Sequence, residues 1–301
     1  MSETLVECVP NFSEGRDAAK IDLIVEAIRS AGAAILDRTS DPDHNRSVVT
    51  FAAPVGVVEE AAFRAVRQAV ASIDLRTHSG VHPRIGAADV VPFIPLAGVT
   101  LDECARLAER TARRIWDELG VPVYLYEAAA LRPEHRNLAD IRRGNWEGLC
   151  RAVLTDAARR PDFGGPALHP SAGAVAVGAR KFLIAFNVNL ATSDVEVARS
   201  IARAVRFSSG GLPAVKAMGV PLASRNLAQV SMNLTDFEQT PIHRAFEAVC
   251  AEAARRGVEI AGSELIGLVP RKALESAAAH FLRIENFSPA MVLERRLAEP
   301  R

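Results

Sequence analysis

Apolar residues recur along this chain with two different periods, and their alternation predicts a run of strands and helices. Residues 5–12 form an apolar stretch of strand length, 18–30 carry the 3.6-residue spacing of a helix with one buried stripe, and 33–37 return to a strand. A polar loop over 37–47 leads to a strand at 48–53 and a long amphipathic helix at 57–73. After a second polar loop come a strand at 89–94, a helix opened by the capping-box spacing of Thr100 and Glu103, and a strand at 121–126.

A second series begins after the Gly- and Pro-rich segment 161–173. Strands are predicted at 174–177, 182–190, 215–221, 228–234 and 260–269. One helix should open at the capping-box spacing of Ser193 and Glu196, another should span 241–256 with Thr240 as N-cap and Pro241 at its first position, and a third should span 271–284. Hairpin-spaced strands interleaved with helices predict an α/β (α+β) chain of two-layer sandwiches with mixed sheets, not a doubly wound parallel fold. The Gly/Pro-rich joint divides it into subdomains 1–172 and 173–301, and a cleft between lobes is a common ligand site.

Charge narrows the choice of partner. Among 301 residues, 36 Lys and Arg balance 36 Asp and Glu, so no global field recruits nucleic acid or an anionic membrane. Small molecules or other protein subunits are the partners this leaves. The apolar runs are broken by charges well before the roughly 20 residues of a membrane span, and the first residues lack the pattern of a signal peptide. A soluble, cytoplasmic protein is expected. Cys8, Cys104, Cys150 and Cys250 are far apart and form no Cys-x-x-Cys pair, which suggests buried free thiols. Only Lys20, Lys181, Lys216 and Lys272 are lysine in a chain rich in arginine.

The densest polar chemistry lies in residues 74–89, where His78, His82, Arg76, Arg84, Asp74 and Asp89 are set among glycines and a proline. His78 and His82 have the spacing of a His-x-x-x-His metal site. Gly80 and Pro83 oppose a regular helix, however, and Ser79 stands where zinc proteases place a glutamate, so no metal is expected. The imidazoles either satisfy loop carbonyls or move protons near neutrality, where an unperturbed histidine titrates at about 6.5.

The loop over 37–46 offers a second polar wall, because it too leaves the end of a strand. Asn11 with Ser13, and Asn45 with Arg46, suit a carboxylate or an amidine edge. Residues 173–178 have the glycine spacing of a phosphate loop without its Gly-Lys-Ser/Thr ending, which argues against a nucleotide. Asn187 and Asn189 alternate along a predicted strand and share one face, as ligands or as cross-strand partners.

Several long segments resemble the glutamate formiminotransferase family, also known as the transferase half of formiminotransferase-cyclodeaminase. They are 5–15 (Leu-Val-Glu-Cys-Val-Pro-Asn-Phe-Ser-Glu-Gly), 82–89 (His-Pro-Arg-Ile-Gly-Ala-Ala-Asp), 121–126, 161–164, 178–189 and 226–237. The resemblance implies two ferredoxin-like two-layer α/β sandwich subdomains, a homodimer, and a folate tunnel between the lobes. It makes His82 the match to the family's catalytic base. It also maps the folate-contacting joint onto Gly164, Gly165, Pro166, Ala167, Leu168, His169, Pro170, Ser171, Ala172 and Gly173. The implied reaction moves a formimino group from N-formimino-L-glutamate to N5 of tetrahydrofolate, a co-substrate, with no metal. Bifunctional relatives continue into a cyclodeaminase domain, so a separate cyclodeaminase partner is expected here.

In that reaction an amine attacks an amidine carbon and glutamate leaves, so one nitrogen loses a proton while another gains one. A histidine between them can serve both. An amidinium calls for a carboxylate, for which Asp37, Asp41 and Asp89 are unranked candidates. The carboxylates of glutamate call for Arg46, Arg84, Asn11, Asn45 and the amides Asn187 and Asn189, and the glutamyl tail of folate for Lys181 and Lys216. His78 is left as a supporting contact. Formyl transfer between 5-formyltetrahydrofolate and glutamate is the rival reaction, and a non-catalytic folate-binding or regulatory protein the rival of another class.

Overall fold

The computed structural model describes residues 4–298, and the chain divides into two compact units, one ending at Lys181 and the other beginning at Phe182. Seven strands make the sheet of the first unit. Strand β1 (Leu5–Cys8) breaks at Val9-Pro10, where proline has no N–H for a ladder, and β2 (Asn11–Phe12) takes up the same line. Together they run antiparallel between β4 (Arg46–Ala53) and β5 (Ala88–Ala97), and β3 (Ala34–Asp41) pairs with the outer side of β4. With helices α1 (Ala18–Arg29) and α2 (Val55–Ser72) as crossovers, this is the βαββαβ order of a ferredoxin-like fold. The predicted polar loop at 37–47 is shorter than expected, because β3 stays paired with β4 as far as Asp41.

Beyond β5 the unit adds α3 (Leu101–Leu119), β6 (Val123–Glu127) and β7 (Val175–Ala179), with β7 inserted in parallel between β5 and β6. This sheet is therefore mixed, and β7 explains why the units part at Lys181 and not at the expected 172/173: residues 175–179 complete the first sheet. Alternation sorts the faces. Val6, Cys8, Phe93, Val123, Leu125, Val175 and Val177 pack with the stripes of α1, α2 and α3. On the opposite face Val90, Tyr124, Tyr126 and Ala176 meet Ile141 and Leu149 of two short helices the pattern had not predicted, α4 (Leu138–Ile141) and α5 (Asn145–Thr155). The capping box at α3 forms as read, with Thr100 accepting from the Glu103 N–H and the Glu103 carboxylate accepting from the Thr100 N–H.

The second unit repeats the order with β8 (Ile184–Leu190), α6 (Val195–Val205), β9 (Val215–Leu222), β10 (Leu227–Leu234), α7 (Ile242–Ala254) and β11 (Ile260–Ile266), followed by α8 (Arg271–Phe281) and α9 (Leu293–Ala298). Its strand order is β11-β8-β10-β9, and the pairings are antiparallel, so the mixed character belongs to the first sheet. Two caps differ from expectation. Asp194, one residue after Ser193, caps α6 by accepting from the Glu196 N–H. Pro241 occupies the N-cap position of α7, and Thr240 instead donates to the Pro213 carbonyl at 2.6 Å.

Glu7 is buried on β1 between Ala52 and Ile94. Burial pushes its carboxyl up from 4.5 to about 7, against the opposing charge of Arg180. The unfolded chain releases this proton near 4.5 while the folded chain keeps it to about 7, so Glu7 lowers stability as pH rises through that window. Glu7→Gln should stabilise by on the order of 2 kcal/mol at about pH 8 and by little at about pH 4, measured by denaturant unfolding. Equal effects at both pH values would contradict this.

Gly86 is packed so closely that a Cβ there would lie 1.9 Å from the Ala174 carbonyl oxygen. Backbone meets backbone, and neither can yield without shifting β7. Gly86→Ala should cost about 2–4 kcal/mol, read as a fall in the denaturation midpoint; an unchanged midpoint would show the strands free to separate.

Candidate active site

Three segments meet where β2, β4 and β5 begin or end: residues 11–15, the turn joining β3 to β4, and the loop over 74–89. Asn45 ties them together from a left-handed backbone conformation, φ +48°, which asparagine tolerates better than most residues. Its Oδ1 accepts from the Gly15 N–H at 2.8 Å, its Nδ2 donates to the Ser79 carbonyl at 3.0 Å, and its own carbonyl accepts from His78 Nε2 at 2.9 Å. Ser13 adds a bond from Oγ to the Gly86 carbonyl at 2.7 Å. The resulting pocket is lined by Phe12, Ser13, His44, Asn45, Arg46, His78, His82, Arg84 and Asp89.

His78 is fixed as a neutral ring by its partners. Nε2 donates to Asn45, so Nδ1 is free to accept from Arg84 Nε at 2.7 Å, and protonation would break that second bond. Burial lowers its pKa in the same direction. Three more donors of Arg84 go to Glu147 at 2.7 and 3.3 Å and to the His78 carbonyl at 3.2 Å. Arg84, named in the sequence as a substrate contact, thus spends four of its five N–H donors on holding the loop to α5.

Around His82 the charges do not balance. Asp89 accepts from the Ile85 N–H at 2.7 Å and from Arg142 Nη2, while Arg46 Nη2 donates to Asn11 Oδ1. At His82 two guanidiniums therefore act against one carboxylate, while Arg46 also feels Asp41. Burial, then the charge of Arg142, pulls Arg46 down to about 10. Burial, then Arg46 and Arg142, pulls His82 down to about 4, with Asp89 opposing. Its ring is neutral at physiological pH, the form a general base requires. Among the described residues neither Arg46 Nε nor Arg142 Nε has a hydrogen-bond partner, although both are buried.

The other named residues divide by unit. Asp37 pairs with Thr50 on the edge strand β3 and does not line the pocket. Asp41 caps the turn, accepting from the N–H groups of Asp43 and His44 at 2.8 Å. Within 164–173, the first residues are exposed, whereas Ser171 and Ala172 accept from the N–H groups of Leu75 and Ala87 at 2.8 and 2.9 Å and Gly173 bridges Gly86. The expected folate segment is thereby stitched to the loop that carries His82. Lys181 is exposed at the end of the first unit.

In the second unit, Lys216 is exposed on β9. Asn189 accepts from Gln229 and donates to Glu264, each at 2.8 Å, across the ladders on either side, with Asn187 buried two residues earlier on the same strand. The sequence reading overlooked Arg142, Glu147 and His44. Arg142 and Glu147 arrive from the stretch between the strand at 121–126 and the joint at 161–173, for which the pattern predicts no element, and no local pattern marks them.

The pocket lies on a ferredoxin-like half and holds a half-buried, neutral histidine in a cationic setting. The formiminotransferase domain's N-terminal subdomain model matches residues 5–180, and the formiminotransferase domain model matches 185–296. A glutamate formimidoyltransferase of Streptococcus pyogenes is 46% identical over 295 residues, 97% of this chain and 98% of that protein. One from Thermoplasma acidophilum is 46% identical over 296 residues, 98% and 97% of the two chains. The formimidoyltransferase-cyclodeaminase of Sus scrofa is 48% identical over 289 residues, which span 94% of this chain and 53% of that protein. The chain belongs to the formiminotransferase family.

The acid limb of kcat/KM set by His82 should lie near 4, well below an ordinary histidine. Arg142→Gln removes one of the two cations that depress it and should move the limb upward; Asp89→Asn removes the opposing anion and should move it down. A pH–rate profile that ignores both substitutions would show that these charges do not govern His82.

Proposed function

We infer that the chain acts as a glutamate formimidoyltransferase, moving the formimino group of N-formimino-L-glutamate to N5 of tetrahydrofolate. The observation that carries this reading is the neutral His82 ring set among Arg46, Arg142 and Asp89, in a chain of this family. The N5 amine attacks the amidine carbon, His82 takes the proton released, and the same ring returns a proton to the departing glutamate nitrogen.

Charge suits the substrate to the pocket. A glutamate skeleton brings carboxylates, and the site has an excess guanidinium with two buried N–H groups awaiting an acceptor. Arg46 and Arg142 are therefore preferred over Arg84 for holding a carboxylate, since most donors of Arg84 are engaged elsewhere. Asp89, the carboxylate that lines the pocket, is preferred over Asp37 for the amidinium. Asn11 positions Arg46, and Asn45 shapes the pocket with both ends of its amide bonded to neighbouring loops.

With this reading go a folate contact along 164–173, a glutamyl path past Lys181 and Lys216, and contributions from Asn187 and Asn189. A homodimer in the cytoplasm working beside a separate cyclodeaminase completes it. Among the described residues no helix is long and apolar enough to cross a membrane.

His82→Ala should lower turnover by about 10²- to 10⁴-fold, with folate affinity nearly kept, as expected when a general base is lost. Following 5-formiminotetrahydrofolate absorbance checks it, and normal turnover in this variant would remove His82 from the mechanism.

A further inference from the structure

His44 stands in the β3–β4 turn with no role assigned to it. Its ring lies 5.8 Å from that of His82, centroid to centroid, at a tilt of 49°, and both line the same pocket. The cavity there measures about 10 Å³, close to the space of a single water. Asp41 Oδ2 lies 3.6 Å from His44 Nδ1. His44 is exposed while His82 is half-buried, so the two rings form a path from the interior to solvent.

The proton count of formimino transfer, on which this inference rests, calls for such a path. N5 of tetrahydrofolate gives up one proton as its bond to the amidine carbon forms. When the bond from that carbon to the glutamate nitrogen breaks, the nitrogen keeps the electron pair and takes one proton, leaving as a neutral amine. Glutamate is an ammonium at neutral pH, so its nitrogen needs a second proton. N5 supplies only the first, and solvent must supply the other. His82 alone is a poor store for it, because Arg46 and Arg142 both oppose a charge on its ring.

We propose that His44 is the proton-exchange partner of His82, joined to it through one water and open to solvent on its far side. Asp41 steadies the imidazolium that forms on His44 while a proton waits there. Asp41 also accepts from the backbone N–H groups of Asp43 and His44, so the carboxylate beside the ring is itself fixed in the turn.

The test is steady-state turnover of formiminoglutamate with tetrahydrofolate by the full chain, its His44→Gln variant and its Asp41→Asn variant, each with and without added imidazole. His44→Gln should lose about 10²-fold in kcat in dilute buffer while KM for formiminoglutamate stays within about 3-fold, and imidazole should restore most of the loss. Asp41→Asn keeps an oxygen for both N–H groups and removes only the charge, so it should fall between the two. Unchanged kcat in His44→Gln, or a loss that imidazole leaves in place, overturns the relay while the functional reading stands. Absence of turnover in the unmodified chain overturns that reading and the relay with it.

Discussion

Two half-buried guanidiniums facing one buried carboxylate are the constraint on which the site depends. Arg46 and Arg142 repel each other, Asp89 and the exposed Asp41 offset part of this at Arg46, and at His82 the two cations face Asp89 alone. Each guanidinium leaves its Nε without a partner among the described residues. Such an arrangement is unfavourable on its own, and a fold keeps it only where other bonds fix every member. Asn11 holds Arg46, the Ile85 N–H holds Asp89, and Asp89 holds Arg142. The unfavourable charge acts on the fourth member, His82, which stays unprotonated where an ordinary imidazole would begin to charge.

The fold supplies these positions by where its strands stop. The βαββαβ half brings β2, β4 and β5 side by side, so Asn11, Arg46 and Asp89 lie at neighbouring ends of one sheet. The added α3-β6-β7 extension supports the segment that delivers Arg142 and Glu147 over the opposite face. One half of the site is therefore the ferredoxin-like core itself, and the other comes from the residues that follow β5 in the chain. Asn45 locks the seam between neighbouring loops, and Gly15 and Gly80 allow that closeness, since a Cβ on either would meet a backbone carbonyl at 2.2 or 2.3 Å.

Most of the fold could be read from periodicity, because the strands and helices of both units are amphipathic and their caps are local. The Thr100–Glu103 box is an instance in which four residues decide the outcome. Thr240 shows the limit: its type suits a cap, but a carbonyl of a distant residue claims its hydroxyl. The unit boundary was obscured for a similar reason, as a glycine-rich joint looks like a break while β7 is recruited by parallel pairing far from its neighbours in sequence. At the site, the density of polar residues marked the His82 loop. Side-chain type alone could not tell that Arg84 and Asn45 are clamps, because their partners, Glu147, Gly15 and Ser79, come from other segments. His44 was hidden as one more polar residue in a turn.

The central claim is that His82 is held as a neutral base by the cations beside it. Titration of the histidine rings by NMR, with His82→Gln to assign the signal, measures this directly in the unmodified chain. An imidazole that stays neutral until the pH falls to about 4 is the result expected; a His82 signal titrating near the ordinary 6.5 would contradict it.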